Sequence, residues 1–459
     1  KTIKIFYTEA DDPLFERINS KDSQPENLWS NFGIGYKWNF FNINNLKFAV
    51  DSSLERWRVK SGGCLGYGCN TTSNNIFNSS LKPVDNTNTV YSLSFPITYK
   101  KSKHFEFSIA PRYIHLPKTQ DEGIFYGSNV GISMGAGISL NKKISSYFST
   151  YFPLGESLNN FDSDINYSKE IINILGIRYR FDNKTTLEGF VTNSFGQTSS
   201  TSILTLPSSN KYMLGGRLIY YPINKDYSSK YREHKTKFKA SREGLSVSNF
   251  NPLDYGKLFF YSPIFLDGSS GSKLKIGLSE NFILDFSSDQ IPKDNITSNN
   301  FEKVYLEPGT RSFRGGGTLT IFPEKEGNIL SSAFRLSFGR SLGETRPGYL
   351  FSELINSINL NKNLIFNINP KLANTGNGDA VGLGLSINYK LTDWLTFIPE
   401  ANLALKNSEN NYSIIFRKRI NDFIKVDSII SNSFSPNDLG QLNKSNNTKY
   451  GINLTLKWF

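Results

Sequence analysis

The sequence predicts an all-β protein, a transmembrane antiparallel up-and-down β-barrel of about 22 strands within a range of 18 to 22. Three observations predict this class. Segments alternate between apolar and polar residues with period two, the strands reach about 10 or 11 residues, and tight polar turns alternate with longer loops. Strands of that length cross a bilayer at a tilt, whereas strands of soluble sheets usually have about 5 or 6 residues.

The alternation assigns an outer face to each strand. One face carries large apolar side chains and the opposite face carries small or polar ones, because successive side chains of a strand point to opposite sides. We expect the following apolar residues on the lipid-facing surface: Phe32, Tyr36, Trp38, Tyr91, Phe95, Leu383, Ile387, Leu454 and Leu456.

Composition agrees with this class. The 459 residues include 36 Phe and 23 Tyr, too many aromatic residues for a disordered chain. No run of about 18 apolar residues occurs, so the sequence predicts no membrane-spanning helix. The net charge of +12 suits an anionic partner, although we expect no nucleic acid. A chain that begins at Lys1 rather than Met fits a processed, exported protein.

The predicted strands follow in order along the chain. Their short connections, such as residues 42–45, 141–143 and 421–422, are assigned to the periplasmic side and the longer loops to the external side. The strands lie near residues 2–9, 29–41, 46–57, 89–99, 104–115, 129–140, 144–154, 170–181, 185–195, 211–221, 254–262, 272–279, 282–288, 311–322, 328–339, 349–360, 363–372, 380–390, 394–406, 411–419, 422–432 and 449–459.

The last ten residues carry a resemblance. Residues 450–459, Tyr-Gly-Ile-Asn-Leu-Thr-Leu-Lys-Trp-Phe, alternate and end in an aromatic residue. This end resembles the C-terminal assembly signal of bacterial outer-membrane barrels, and residues 380–405 are also similar to uncharacterised cyanobacterial envelope proteins. The resemblance implies a location in the outer membrane, contact with outer-membrane lipid and, as in many porins, a homo-oligomer such as a trimer.

The domain prediction is one barrel over residues 1–459 with two long connections. Residues 58–88 form a long external loop, and residues 222–253 form a basic insertion on the periplasmic side. The insertion fits a solvated loop, a docking element for a periplasmic partner or a partial plug.

The inward face is predicted to be charged and rich in cations. Either these side chains line a water-filled pore that weakly favours anions, or they pair across strands as structural ladders. The predicted pore-lining residues are Arg112, Arg178, Arg180, Arg217, Arg314, Arg335, Arg417, Arg419, Glu106, Glu188, Glu353 and Glu400.

Other candidate chemistry is sparse. Cys64 and Cys69, five residues apart in the external loop, are predicted to form a disulfide, because exported proteins reach an oxidising compartment. A metal site would need further ligands, and no His or other Cys lies nearby. The Gly-rich segments lack the Gly-Lys-Ser/Thr end of a phosphate loop. We predict no cofactor, no metal and no enzyme activity, since no nucleophilic or acidic motif accompanies His115.

These features lead to one functional hypothesis and two rivals. The first is a porin-like channel for passive diffusion of small hydrophilic solutes or ions with a weak anion preference. The second is a barrel component of an export or assembly machine for lipid or polysaccharide that works with periplasmic partners through residues 222–253. The third is a structural or adhesive surface barrel closed by its own loops.

Overall fold

The computed structural model describes most of the chain in two compact units, Lys1–Tyr221 and Pro222–Phe459. The described residues are 2–11, 27–62, 75–77, 82–121, 123–181, 185–207, 211–220, 243–250, 253–279, 281–292, 309, 311–323, 329–341, 348–361, 363–375 and 378–458. All strand pairs formed by these residues are antiparallel, and no helix among them is long and apolar enough to span a bilayer.

The N-terminal unit is built on one 11-stranded sheet. Its order is β1-β2-β3-β4-β6-β9-β10-β13-β14-β15, with β5 pairing with β3 and β6. The short pairs β7-β8 and β11-β12 lie in the loops. The strands are β1 Thr2–Asp11, β2 Asn27–Ile43, β3 Leu46–Ser61, β4 Val84–Ser94, β5 Ile97–Lys100, β6 Phe105–His115, β7 Thr119–Gln120, β8 Gly123–Ile124, β9 Ser128–Ser139, β10 Ile144–Leu154, β11 Asn160–Phe161, β12 Tyr167–Ser168, β13 Ile172–Arg180, β14 Thr185–Thr192 and β15 Met213–Tyr220.

The C-terminal unit is a closed barrel of 12 strands, β16 to β27. Closure comes from β16, which pairs with β27 from Leu258↔Trp458 to Phe265↔Gly451. The strands are β16 Leu258–Phe265, β17 Ser270–Gly277, β18 Phe282–Gln290, β19 Arg311–Phe322, β20 Leu330–Ser341, β21 Gly348–Asn361, β22 Leu364–Thr375, β23 Gly378–Lys390, β24 Leu395–Lys406, β25 Asn411–Arg419, β26 Ile424–Ser433 and β27 Lys444–Trp458.

The predicted fold class is confirmed, and the barrel closes earlier than predicted. If β4 and β5 are taken as one interrupted strand, the long strands correspond one for one to the 22 predicted strands. The closed barrel, however, contains 12 strands rather than 18 to 22, because β27 pairs with β16 and not with β1. A period-two pattern fixes which face of a strand is apolar but does not specify which strand completes the ring.

The short turns among the described residues form where the sequence predicts them, and asparagine explains several. Asn141 Oδ1 accepts hydrogen bonds from the backbone N–H groups of Lys143 (2.7 Å) and Ile144 (2.8 Å). Asn421 Oδ1 accepts in the same way from the backbone N–H groups of Phe423 and Ile424, at 2.8 Å each. An Asn side chain that bonds the backbone two or three residues ahead replaces a backbone turn, so these sites fix hairpin register.

The outward face is apolar, as predicted. Phe32 is 52% exposed, Phe95 46% and Ile387 39%, although all three are large apolar side chains. Phe32 and Ile387 lie within strands, and Phe95 lies between β4 and β5. The other predicted outward residues, Tyr36, Trp38, Tyr91, Leu383, Leu454 and Leu456, are exposed or half-buried on the same faces. Exposed apolar side chains that continue from strand to strand around a closed antiparallel sheet are typical of a surface solvated by lipid.

Candidate functional site

The inward face of the C-terminal barrel is charged and deeply buried. Arg335 is 1% exposed, Glu353 1% and Lys371 2%. Charged groups are rarely buried to this extent unless they are paired and hydrogen-bonded. The other buried charged residues of these strands are Lys273, Lys275, Asp285, Asp289, Arg314, Glu400, Arg417, Lys425, Asp427 and Lys449.

A stretch of chain outside the barrel wall accounts for much of this burial. Residues 243–250, here called the lumen segment, precede β16 and contact inward side chains of β17 and of β21 to β24. Its residues Leu245, Ser246 and Phe250 are each at most 3% exposed. The lumen segment therefore runs through the barrel interior. It belongs to the predicted basic insertion at 222–253, of which residues 222–242 and 251–252 lie outside the described residues.

Glu400 holds the first half of the lumen segment. Its carboxylate accepts hydrogen bonds from the backbone N–H groups of Leu245 (3.0 Å) and Ser246 (2.8 Å) and from Ser246 Oγ (2.8 Å). Lys371 Nζ donates to the carbonyl oxygen of Ser246. These charge-assisted bonds supply the partners that an unpaired backbone needs away from water.

Gly244 makes this close approach feasible. A Cβ at this position would lie 1.8 Å from Glu400 Oε1 and 2.3 Å from the carbonyl oxygen of Val247. Both distances are well inside van der Waals contact, and Val247 contributes backbone, which cannot simply move aside. Glycine is therefore the residue that lets the segment lie against Glu400.

The second half of the segment is held by β21 and β22. Ser248 Oγ donates to Glu353 Oε2 (2.6 Å), and Asn369 Nδ2 donates to the carbonyl oxygen of Ser248 (2.6 Å). The N–H of Phe250 donates to Ser357 Oγ (2.9 Å). At the opposite wall, Lys275 Nζ on β17 donates to Glu243 Oε1 (2.6 Å). Polar contacts with both sides of the barrel thus hold the segment in place.

The loop between β26 and β27 also folds into the barrel. Its 3-10 turn, Asp438–Leu442, places Asp438 beside two arginines. Asp438 Oδ1 lies 2.7 Å from Arg335 Nη2, and Asp438 Oδ2 lies 3.6 Å from Arg314 Nε. Burial raises the pKa of the Asp438 carboxyl, but Arg335 and Arg314 lower it by more, so this pKa lies below its ordinary value.

Other inward charges pair within the wall. Arg417 and Asp427 are directly opposite on β25 and β26 and form a two-bond pair at 2.7 Å for each bond. Arg335 Nη2 also lies 3.1 Å from Asp285 Oδ1. Arg419 lies at the exposed turn, where it pairs with Asp422. The predicted arginines of this unit therefore lie in ion pairs rather than beside open space.

The N-terminal unit arranges its inward charges differently. Glu188 has a fully buried side chain and pairs with Arg178 (2.5 Å) and Arg217, whose side chains remain 40% and 37% exposed. Tyr147 Oη also donates to Glu188 (2.8 Å). Arg180, at the end of β13, is exposed, as is Glu106. One carboxylate thus fixes two guanidinium groups that still reach solvent.

Residues 193–207, in the loop between β14 and β15, cover the inner face of this unit. Arg112 Nη2 donates to the carbonyl oxygen of Ser199 (2.7 Å), and Glu55, which is 1% exposed, accepts the N–H of Ser200 (3.1 Å). Asn31 Nδ2 also donates to Glu55 (2.9 Å). Glu55 was not among the predicted residues. Its cross-strand neighbours Gly33 and Val90 carry no charge, and this was the available signal that its partner comes from elsewhere.

The remaining predicted site residues are placed as follows. Cys64 and Cys69 lie outside the described residues, so their disulfide stays a prediction. His115 stacks on Tyr91 with ring centroids 4.8 Å apart and contacts Ser128 Oγ at 3.0 Å. Within the described ranges, no group of three His, Cys, Asp or Glu side chains could hold a metal ion.

The apolar outward face, the antiparallel closure of β16 onto β27 and the charged interior define an outer-membrane β-barrel protein. No protein-family model matches the chain, and a search of curated proteins finds no match.

Solved structures similar to the chain include outer-membrane proteins. A KdgM porin in complex with disordered oligogalacturonate is 10% identical with a TM-score of 0.32, covering 44% of this chain and 99% of its own. A mutant of the Rh. blastica porin is 10% identical with a TM-score of 0.23, covering 90% of this chain and 100% of its own. The copper transporter OprC is 10% identical with a TM-score of 0.22, covering 99% of this chain and 76% of its own.

Proposed function

We propose that the chain is a porin-like outer-membrane channel for passive diffusion of small hydrophilic solutes or ions, with a weak preference for anions. We further propose that its C-terminal barrel conducts only after the lumen segment moves. The observation that carries this proposal is the lumen segment itself: hydrogen bonds and ion pairs attach it to the wall, and it is not a strand of the wall. Contacts of this kind can break and reform without unfolding the barrel.

The anion preference rests on the N-terminal unit. Among its described inward positions, lysine and arginine side chains outnumber carboxylates, and Arg178 and Arg217 reach solvent. In the C-terminal barrel most of the described buried charges lie in ion pairs and the two signs are close to balance, so they add little net field. At about 0.15 M salt the Debye length is about 8 Å, and only cations within that distance of a permeating ion act strongly. The preference is therefore weak and declines as salt rises.

Reversal-potential measurements under a salt gradient test this preference. We expect the purified protein in planar bilayers to favour anions, and the double substitution Arg178→Gln and Arg217→Gln to shift the reversal potential toward cations, because Glu188 then loses both partners. Arg58→Gln is the matched control, since Arg58 lies on the other face of its strand and pairs with Asp85. A cation-selective wild type, or a double variant identical to wild type, would contradict the proposal.

The rival function, a barrel component of an export or assembly machine, is favoured by one observation. The lumen segment continues directly from residues 222–242, where Lys230, Arg232, Lys235, Lys237 and Lys239 are concentrated. A periplasmic partner that bound this stretch could pull the segment from the barrel. Co-purification of such a partner, lost when these five residues are replaced by glutamine, would support the machine. Channel activity of the isolated protein in planar bilayers supports the porin-like channel.

A further inference from the structure

A cavity of about 150 Å³ opens on the inner face of the N-terminal unit, at the end where the turns are short. Pro96 creates it. Proline has no N–H to extend the ladder, so the strand divides into β4 and β5. Two backbone bonds remain at this interruption, from Ala49 N to the carbonyl oxygen of Pro96 (2.9 Å) and from Phe95 N to the carbonyl oxygen of Pro111 (3.0 Å). The lining residues are Lys37, Asn39, Lys47, Ala49, Pro96, Thr98, Lys100 and Glu106.

The lining carries an unbalanced positive charge. Lys37, Lys47 and Lys100 contribute three ammonium groups, and Glu106 contributes one carboxylate. The side chains of these three lysines form no ion pair or hydrogen bond with the described residues, whereas the nearby Lys4 pairs with Asp51 at 2.7 Å. Three like charges around one small cavity repel each other unless an anion joins them.

The spacing of the lysines follows from strand register. Lys47 lies opposite Thr98, and Lys100 lies opposite Glu106 on the next strand pair. Because Thr98 and Lys100 are two residues apart on one strand, they point to the same side, which brings Lys47 and Lys100 to neighbouring positions. The Asn39 amide adds a neutral donor to the same cavity, and so does the Thr98 hydroxyl when it accepts from Ser108 Oγ, which lies 2.9 Å away.

We propose that this cavity binds a small oxyanion with two or more negative charges, such as the phosphate dianion. Its lysines would neutralise the charge, and Thr98 and Asn39 would donate to the remaining oxygens. The site opens on the inward face and not on the lipid-facing one, so the ligand is a soluble anion rather than a lipid headgroup. The inference rests on the proposed function and names the class of solute that the channel would select.

Calorimetric titration of the full chain in neutral detergent with inorganic phosphate at low salt tests the site. We expect saturable binding by wild type. Lys47→Gln and Lys100→Gln should each weaken it about tenfold, because each removes one positive charge beside a dianion. Glu106→Gln should strengthen binding several-fold, since it removes the one repelling carboxylate. Lys101→Gln is the matched control, because Lys101 is exposed in the adjacent turn and outside the cavity lining, and it should bind like wild type.

The opposite response of Glu106→Gln separates loss of the site from loss of the fold, since a misfolded variant does not gain affinity. Phosphate binding that phosphatidylglycerol displaces would assign the site to a lipid headgroup and overturn the soluble-anion proposal. Absence of saturable binding by wild type would also overturn it. An anion-selective conductance without phosphate binding would overturn this inference alone, whereas absence of both would overturn the proposed function as well.

Discussion

Replacing Gly244 by valine is expected to open the C-terminal barrel to ions. The new side chain would collide with Glu400 and with the carbonyl oxygen of Val247, so the lumen segment could not bind in its position against Glu400. The substitution would leave the 12 strands of the barrel unchanged. Each charge-assisted hydrogen bond lost is worth about 1.5–3 kcal/mol, so the open fraction should rise by at least about tenfold. Single-channel recording in planar bilayers measures this fraction directly.

The matched control for that substitution is Gly348→Val. Gly348 begins β21 of the same barrel, and a Cβ there would meet only the carbonyl oxygen of Gly339 at 3.8 Å, an ordinary contact. This variant should conduct like wild type. If Gly244→Val also conducted like wild type while remaining folded, the lumen segment would not be the barrier to ion flow.

The second large effect is expected at Asp438. Asp438→Asn should lower the free energy of unfolding by about 3–5 kcal/mol, because Arg335 and Arg314, which are 1% and 4% exposed, would lose a buried carboxylate partner. Asparagine tolerates the positive φ of 45° at this position, so the backbone should not add to the loss. Denaturant titration followed by tryptophan fluorescence measures the change, and Asp393→Asn, at an exposed turn, is the control.

The free energy of unfolding lost in Asp438→Asn should be larger at neutral pH than in acid. The folded pKa of Asp438 is lower than its unfolded value, so its contribution to stability is fully present above the unfolded pKa, about 3.9. It disappears as the pH falls through the folded pKa. The difference between wild type and Asp438→Asn should therefore be largest near pH 7 and should shrink below about pH 4. A difference that grew in acid would contradict the ion-pair account.

The sequence predicted the strands and their faces because those properties are local. Phe32 and Ile387 lie outward and Arg335 and Glu400 inward, since period-two alternation requires it. The turns at Asn141 and Asn421 were also predictable, because their chemistry involves only the next few residues. The pairing of β16 with β27 was not predictable from the sequence, because nothing in the pattern of either strand specifies a partner about 190 residues away.

The sequence left open whether the lumen segment, part of the insertion at 222–253, is a solvated loop, a docking element or a partial plug, for a related reason. Residues 243–250 mix polar and apolar side chains without the length of a strand, and their partners, Glu353, Asn369 and Glu400, lie more than a hundred residues away. One signal was available. Glu400 is an inward carboxylate whose cross-strand neighbours, Ser386 and Ser413, carry no charge, so its partner had to come from elsewhere.

A crosslink between Ser246 in the lumen segment and Ser413 in β25 would show directly whether the segment occupies the barrel. Their hydroxyl oxygens are 3.4 Å apart. In a background with Cys64→Ser and Cys69→Ser, the variant Ser246→Cys and Ser413→Cys should form a disulfide on mild oxidation, seen as a gel shift. It should also stay closed in bilayer recordings until a reductant is added. If no crosslink forms in the folded protein, and Cys at position 246 reacts at once with a membrane-impermeant thiol reagent, the lumen segment does not occupy the barrel and the account fails.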